Sequence, residues 1–181
     1  MSAFYTPCQF VKKNFPRTLD VLRKEGRKRA ILTPYQVQLI AHHYGIEEKD
    51  VIRDKPLMSE VGIMFCENQY GYIYPTSLCR GAGCMVAIQR SGMDRVVGTI
   101  HTHPGRVKLI PSPQDWMVEV FKNQSEWFGI ISVNTRNMIF LWNFDEMRAN
   151  EREALGYIER YYDDLDVLQI LYDIQVCRGK Y

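Results

Sequence analysis

Two histidines one residue apart, His101 and His103 in "GTIHTHPG", are followed across a short loop by Ser112 and Asp115 in "PSPQD". Two imidazoles and a carboxylate are a suitable ligand set for a hydrolytic zinc site, which keeps a fourth position open for water. Zinc brings the pKa of that water to about 7, so hydroxide is available near neutral pH. Such chemistry also needs a carboxylate to carry the water's proton. It further needs a donor facing the oxygen that becomes negative, a task open to the Ser112 hydroxyl.

The elements that must position these groups are a strand and a helix start. In "RVVGTIHTH" the two histidines stand at i and i+2, so both side chains leave one face of a strand with Cα atoms about 7 Å apart. An isolated HxH is more often a pair of polar residues on an exposed strand. "SPQD" is a helix start in its own right, with Ser112 as N-cap, Pro113 in the first turn and Asp115 at the positive end of the helix dipole. Capping alone accounts for Ser112 and Asp115. It leaves unexplained why the capped helix follows the histidine pair so closely, across "PGRVKLIP".

Other candidate ligands fare worse. His42 and His43 are neighbours on a helix predicted by "TPYQVQLIAHHYG", with Thr33 as cap, Pro34, Gln36 closing a capping box and Gly45 as stop. Adjacent helical residues point in different directions, so these two read as surface or packing residues. Cys79 and Cys84 in "CRGAGC" have no second Cys or His pair nearby to complete a zinc clip.

The rest of the chain supplies a sheet and its cover. "EVGIMF", "YGYIYPTSL", "CMVAIQR" and "RVVGTIHTH" alternate as successive strands, a helix runs from about Pro113 to Lys122, and "WFGIISVN" and "MIFLWNF" flank a "TRN" turn as a hairpin. Leu155, Ile158, Tyr162, Leu165, Leu168 and Tyr172 form one apolar stripe, predicting a long helix from about Glu146 to Val176. Helices before, within and after the strands indicate a mixed α/β (α+β) domain with helices packed on a central sheet.

With 181 residues and 46% hydrophobic content, the chain suits one globular domain, residues 31–181, preceded by a basic extension, residues 1–30. Eight Lys or Arg between Lys12 and Arg29 face only Asp20 and Glu25, yet the net charge of +2 is too mild to imply a polyanion partner. Five irregularly spaced cysteines, Cys8, Cys66, Cys79, Cys84 and Cys177, argue for reduced thiols and a cytoplasmic protein. No apolar run approaches the length of about 20 residues that spans a bilayer, and the N-terminus lacks a signal-peptide pattern.

"HTHP" followed by "PSPQD" resembles the JAMM motif of the MPN+ (JAB) zinc metalloproteases, in which an upstream Glu precedes HxHP and then SxxD. The likeness covers the motif and, more loosely, the element order from about Thr33 to Phe144. It implies an MPN/JAB-like, cytidine-deaminase-like fold. It also implies one Zn²⁺ held by His101, His103 and Asp115, with Ser112 assisting the tetrahedral intermediate. For the motif glutamate, Glu60 in "EVGIMF" fits the family's setting at a strand start, although its glycine follows two residues later where three is more usual. Glu67 in "CENQYG" reads instead as a turn residue. Retention of every motif position sets the chain apart from the silent MPN members that have lost metal ligands.

The resemblance implies a metallopeptidase that cleaves isopeptide or peptide bonds after ubiquitin or a ubiquitin-like protein, with Glu60 as general base and no covalent intermediate. The short segment from Trp116 to Val133 leaves little room for a ubiquitin-chain-binding insertion, which leaves a small prokaryotic-type desampylase- or deubiquitinase-like enzyme and a relative acting on a ubiquitin-like sulfur carrier as comparable options. Two other functions compete. One is an MPN-type interaction scaffold with a vestigial or non-proteolytic metal site. The other is nucleic-acid binding through Lys12 to Arg29, disfavoured because only Phe10 and Phe15 are at hand for stacking.

Overall fold

The computed structural model describes residues 5–28, 33–53, 60–80, 94–103 and 109–181. The chain begins with helices α1 (Pro7–Asn14), α2 (Pro16–Gly26), α3 (Pro34–Tyr44) and α4 (Glu48–Arg53). Strands β1 (Val61–Glu67), β2 (Ile73–Pro75), β3 (Cys79–Arg80) and β4 (Arg95–His103) follow. Helix α5 (Pro113–Trp116) runs directly into a π-helical segment, Met117–Lys122, before the hairpin of β5 (Trp127–Ser132) and β6 (Asn137–Trp142). Helices α6 (Asp145–Ala149), α7 (Glu151–Tyr161) and α8 (Leu165–Tyr172) precede a last strand, β7 (Gln175–Lys180).

The sheet is mixed, in the order β2-β1-β4-β5-β6-β7, with β3 also on β1. Only β4 and β5 pair in parallel, because the α5 segment carries the chain back to the same edge before β5 begins. Strand β4 is central, and "VVGTIHTH" is buried along its whole length. Apolar residues cover both sheet faces. On one, Trp116, Val120, Phe128, Ile130 and Leu168 pack together. On the other, Val11, Leu19, Leu22, Phe65, Ile100 and Trp127 do so.

Punctuation explains where several elements begin and end. Thr33 and Gln36 form the predicted reciprocal capping box, and Gly45 closes α3 in the left-handed region at φ 62°. The expected hairpin of β5 and β6 forms, with its pairing running from Trp127↔Trp142 to Ile131↔Met138. In "YGYIYPTSL" only Ile73–Pro75 is a strand, since the Asn68 side chain accepts hydrogen bonds from the Tyr70 and Tyr72 amides and folds the preceding residues into a turn. The strand expected in "CMVAIQR", like Cys84, lies outside the described residues.

Three expectations are corrected. The long helix from Glu146 to Val176 is three helices and a strand. Asn150 and Asp164 each cap a new helix through their side chains, Asp173 ends α8 in a left-handed conformation, and β7 pairs with β6. Of the apolar stripe, Ile158, Leu165, Leu168 and Tyr172 still meet in one core cluster with Tyr162 packed against it, while Leu155 stands outside that cluster. Second, part of the N-terminal segment, read as an extension outside the core, is core: Cys8, Val11, Leu19 and Leu22 are buried against the sheet. Third, Cys8 and Cys177 are joined in a disulfide with Cα atoms 6.6 Å apart, so not every cysteine is a thiol. This bridge ties α1 to β7 and removes the thiol argument for a reducing compartment. Among the described residues, no helix is long and apolar enough to cross a membrane.

Candidate metal centre

Strand β4 delivers both histidines to one face, as their spacing requires. His101 is 2% exposed and His103 5%, deep at the strand's C-terminal end. Parallel pairing with β5 places His101 beside Ile130 and His103 beside Ser132. The opposite face of the strand is packed tightly: a Cβ on Gly98 would stand 2.3 Å from the Trp127 ring. Gly26 at the end of α2 lies against Thr102 and Val133, with Val133 Cγ1 2.6 Å from where its Cβ would be. The strand segment bearing the histidines is thus packed closely from behind by Trp127, Val133 and the end of α2.

The third group comes from the start of α5. Ser112 is its N-cap, accepting from the Asp115 amide at 3.1 Å, while Asp115 Oδ2 accepts from the Ser112 amide at 2.9 Å. This capping box orients the carboxylate, and the same Oδ2 stands 3.4 Å from His101 Nε2 and 3.4 Å from His103 Nε2. The two Nε2 atoms are 3.2 Å apart. Three donors bound to one ion at 2.0–2.1 Å in a tetrahedron stand about 3.3–3.4 Å from one another. The ligand atoms therefore already form the triangle that a small tetrahedral cation requires. His101, His103 and Asp115 are also the only group of three or more His, Cys, Asp or Glu among the described residues that could hold an ion.

Electrostatics bind the same groups. Burial would strip the proton from His101, but Asp115, with Glu60 and Glu119 behind it, outweighs burial and raises the imidazole to about 9. Burial likewise pushes the Asp115 carboxyl up, yet the two imidazoles and the Ser112 amide hold it well below the usual carboxylate range.

The two upstream glutamates are separated by the whole of β1, a rise of roughly 23 Å. Glu60 is half-buried immediately before the strand. Continuing the register two residues beyond Gly62↔His101 sets it opposite His103. Its charge is felt at His101. Glu67, at the far end, pairs with Arg95 Nη2 at 3.3 Å. Ser112 uses its oxygen as acceptor for the Asp115 amide, which leaves its hydroxyl hydrogen to donate. His42 and His43 are exposed on α3, as expected.

One buried group went unnoticed in the sequence. Glu119, in the π-helical segment, is 1% exposed and accepts hydrogen bonds from the hydroxyls of Thr99, at 2.6 Å, and Ser125, at 3.1 Å. Burial pushes its carboxyl up, against those two hydrogen bonds and the charge of His101. A signal was present: Glu119 follows Trp116 by three residues and sits between Val118 and Val120, on the side of the helix that must be buried.

No family model, curated protein or solved structure matches the chain.

Proposed function

We propose that the protein is a metal-dependent hydrolase of amide bonds, a prokaryotic-type JAMM/MPN+ metallopeptidase acting on ubiquitin-like conjugates. The observation that carries this reading is the triangle of His101 Nε2, His103 Nε2 and Asp115 Oδ2, with edges of 3.2, 3.4 and 3.4 Å. His101 and His103 of the HxHP half and Asp115 of the SxxD half meet in space there. A mixed sheet with helices on both faces, and the histidine pair at the end of its central strand, agrees with an MPN/JAB-like domain.

In this reading His101, His103 and Asp115 hold one divalent cation, for which Zn²⁺ is our assignment from two nitrogens and one oxygen. When bound, the ion supplies an acidified water and polarises the scissile carbonyl. Glu60, beside the histidines and half-buried, accepts a proton from the attacking water and returns it to the leaving amine. The free hydroxyl hydrogen of Ser112 is directed at the carbonyl oxygen as it gains negative charge. Asp115 keeps its place through the capping box, so the chain's own contribution is a preorganised set of groups.

The test is cleavage of a panel of ubiquitin-like proteins fused to a short C-terminal extension, each assayed with added Zn²⁺ and with a chelator. Zinc-dependent release of the extension, lost in Asp115→Asn, is the expected result. A chain that binds zinc tightly but releases no extension from any fusion would favour an interaction scaffold with a non-proteolytic metal site.

A further inference from the structure

We infer that Glu119 is the outer partner of His101, a positioning carboxylate that receives the proton on Nδ1 and offsets the charge of a bound cation. The inference rests on the metal-centre reading above.

Buried carboxylates need a reason. A carboxylate is almost never fully buried unless paired, and among the described residues no Lys, Arg or His forms an ion pair with Glu119. Its hydrogen-bond partners, the Thr99 and Ser125 hydroxyls, are neutral, and both donate to the same oxygen, Oε2. Two hydroxyls satisfy that oxygen's lone pairs without neutralising the group.

Its location supplies the missing partner. Thr99, His101 and His103 alternate along β4 and share a face, so the Thr99 bond holds the Glu119 carboxyl to the sheet surface that carries the histidines. The His101 ring has its Nε2 in the ligand triangle, while its Nδ1 is buried with no hydrogen-bond partner. A neutral imidazole that binds a cation through Nε2 carries its proton on Nδ1, and metal-ligating histidines as a rule donate that proton to a carboxylate, a carbonyl or a water. With Oε2 engaged, Oε1 of Glu119 is the acceptor we assign to Nδ1–H, directly or across one water.

The backbone is shaped to bring this group in. From Met117 to Lys122 the helix widens, with the Asn123 amide bonded five residues back to the Val118 carbonyl at 2.7 Å. The Ser125 amide then closes on the Glu119 carbonyl at 3.0 Å. π-helical turns are uncommon and concentrate at functional sites. This one sets Glu119 one turn below Asp115, so α5 and its continuation supply the metal site with both a ligand and the carboxylate that steadies another ligand.

The test compares wild type, Glu119→Gln and Ser125→Ala for Co²⁺ affinity by competition with a chelating dye, and for thermal stability without metal. Glutamine can keep both hydroxyl contacts through its amide oxygen but turns an N–H toward Nδ1–H. Expected are a metal-free Glu119→Gln at least as stable as wild type, a loss of about 10–100-fold in Co²⁺ affinity and a shifted visible Co²⁺ spectrum. Ser125→Ala should stay near the wild-type affinity. A merely structural carboxylate predicts lower metal-free stability with unchanged affinity, and that outcome overturns the inference. Nitrogen-detected NMR of metal-loaded wild type needs no variant: an exchange-protected, hydrogen-bonded Nδ1 proton on His101 is required, and its absence also overturns the inference. If wild type itself fails to bind Co²⁺, the metal-centre reading falls first; if wild type and Glu119→Gln bind equally, only the role of Glu119 falls.

Discussion

The two faces of strand β4 do opposite work. One carries Thr99, His101 and His103 and meets Asp115 and Glu119 from α5 and its π-helical continuation. The other carries Gly98, Ile100 and Thr102 and meets Trp127 and the end of α2. Burial is nearly complete on both, so accessibility does not distinguish the face with the histidines from the apolar one. What distinguishes them is how polar atoms are satisfied. On the apolar face the Thr102 hydroxyl oxygen accepts from the Val61 amide at 2.9 Å, and the buried Trp127 indole N–H is left without a hydrogen-bond partner. The other face brings three ionisable side chains together around one point, with Asp115 oriented by its capping box. Such a cluster is costly to bury without a cation or a proton at its centre.

Substitutions on each side should therefore fail differently. The largest effect is expected from Glu60→Gln, which should lower kcat by about 10²–10⁴-fold while the protein keeps its metal and its melting temperature. Parallel loss of metal would move Glu60 from proton carrier to ligand. On the opposite face, Ile100→Ala should cost about 2–5 kcal/mol of stability, read from denaturant unfolding, with metal stoichiometry unchanged in the folded fraction. If metal were lost in that fraction as well, the two faces would not be separable in the way described.

A third experiment uses pH to sharpen the contrast. The folded-state value for His101 lies above its ordinary 6.5, near 9, so its contribution to the metal-free protein is complete below about 6.5 and is lost as pH rises through about 9. Asp115 is held low, so its contribution is present above its ordinary 3.8 and is lost only on strong acidification. With chelator present, stability should fall between pH 6.5 and 9. Metal uptake should tighten over the same range, because the cation displaces the His101 proton. A level stability profile would contradict the pairing of His101 with Asp115. The smallest effect belongs to Glu67→Gln at the other end of β1: loss of a partly exposed ion pair with Arg95, worth about 0–1 kcal/mol, with activity intact.

How much of this the sequence announced follows from the range of the interactions. Local signals read well. Thr33, Pro34, Gln36 and Gly45 bound α3, "TRN" turns the β5–β6 hairpin, and the i, i+2 spacing puts His101 and His103 on one face. Ser112 and Asp115 were legible both as a cap and as candidate chemistry, and the structure joins the two roles in one hydrogen-bonded unit. Long-range features left no local mark. Cys8 and Cys177 lie 169 residues apart and meet only because α1 packs beside β7. The amphipathic period of the last third spans the breaks at Asn150 and Asp164, so their capping role was hidden by the stripe they interrupt. Glu119 was missed for a related reason: a glutamate on a helix is ordinarily solvated, and only the wide turn and the Thr99 contact draw it inward.

The central claim is that His101, His103 and Asp115 form one metal centre, and the most direct test is metal stoichiometry. Protein stripped with chelator, dialysed against Zn²⁺ and freed of loose ions should retain one ion per chain. Asp115→Asn, which keeps the shape of the cap and removes the charge, should retain almost none while remaining folded. Equal metal content in wild type and Asp115→Asn would contradict the account.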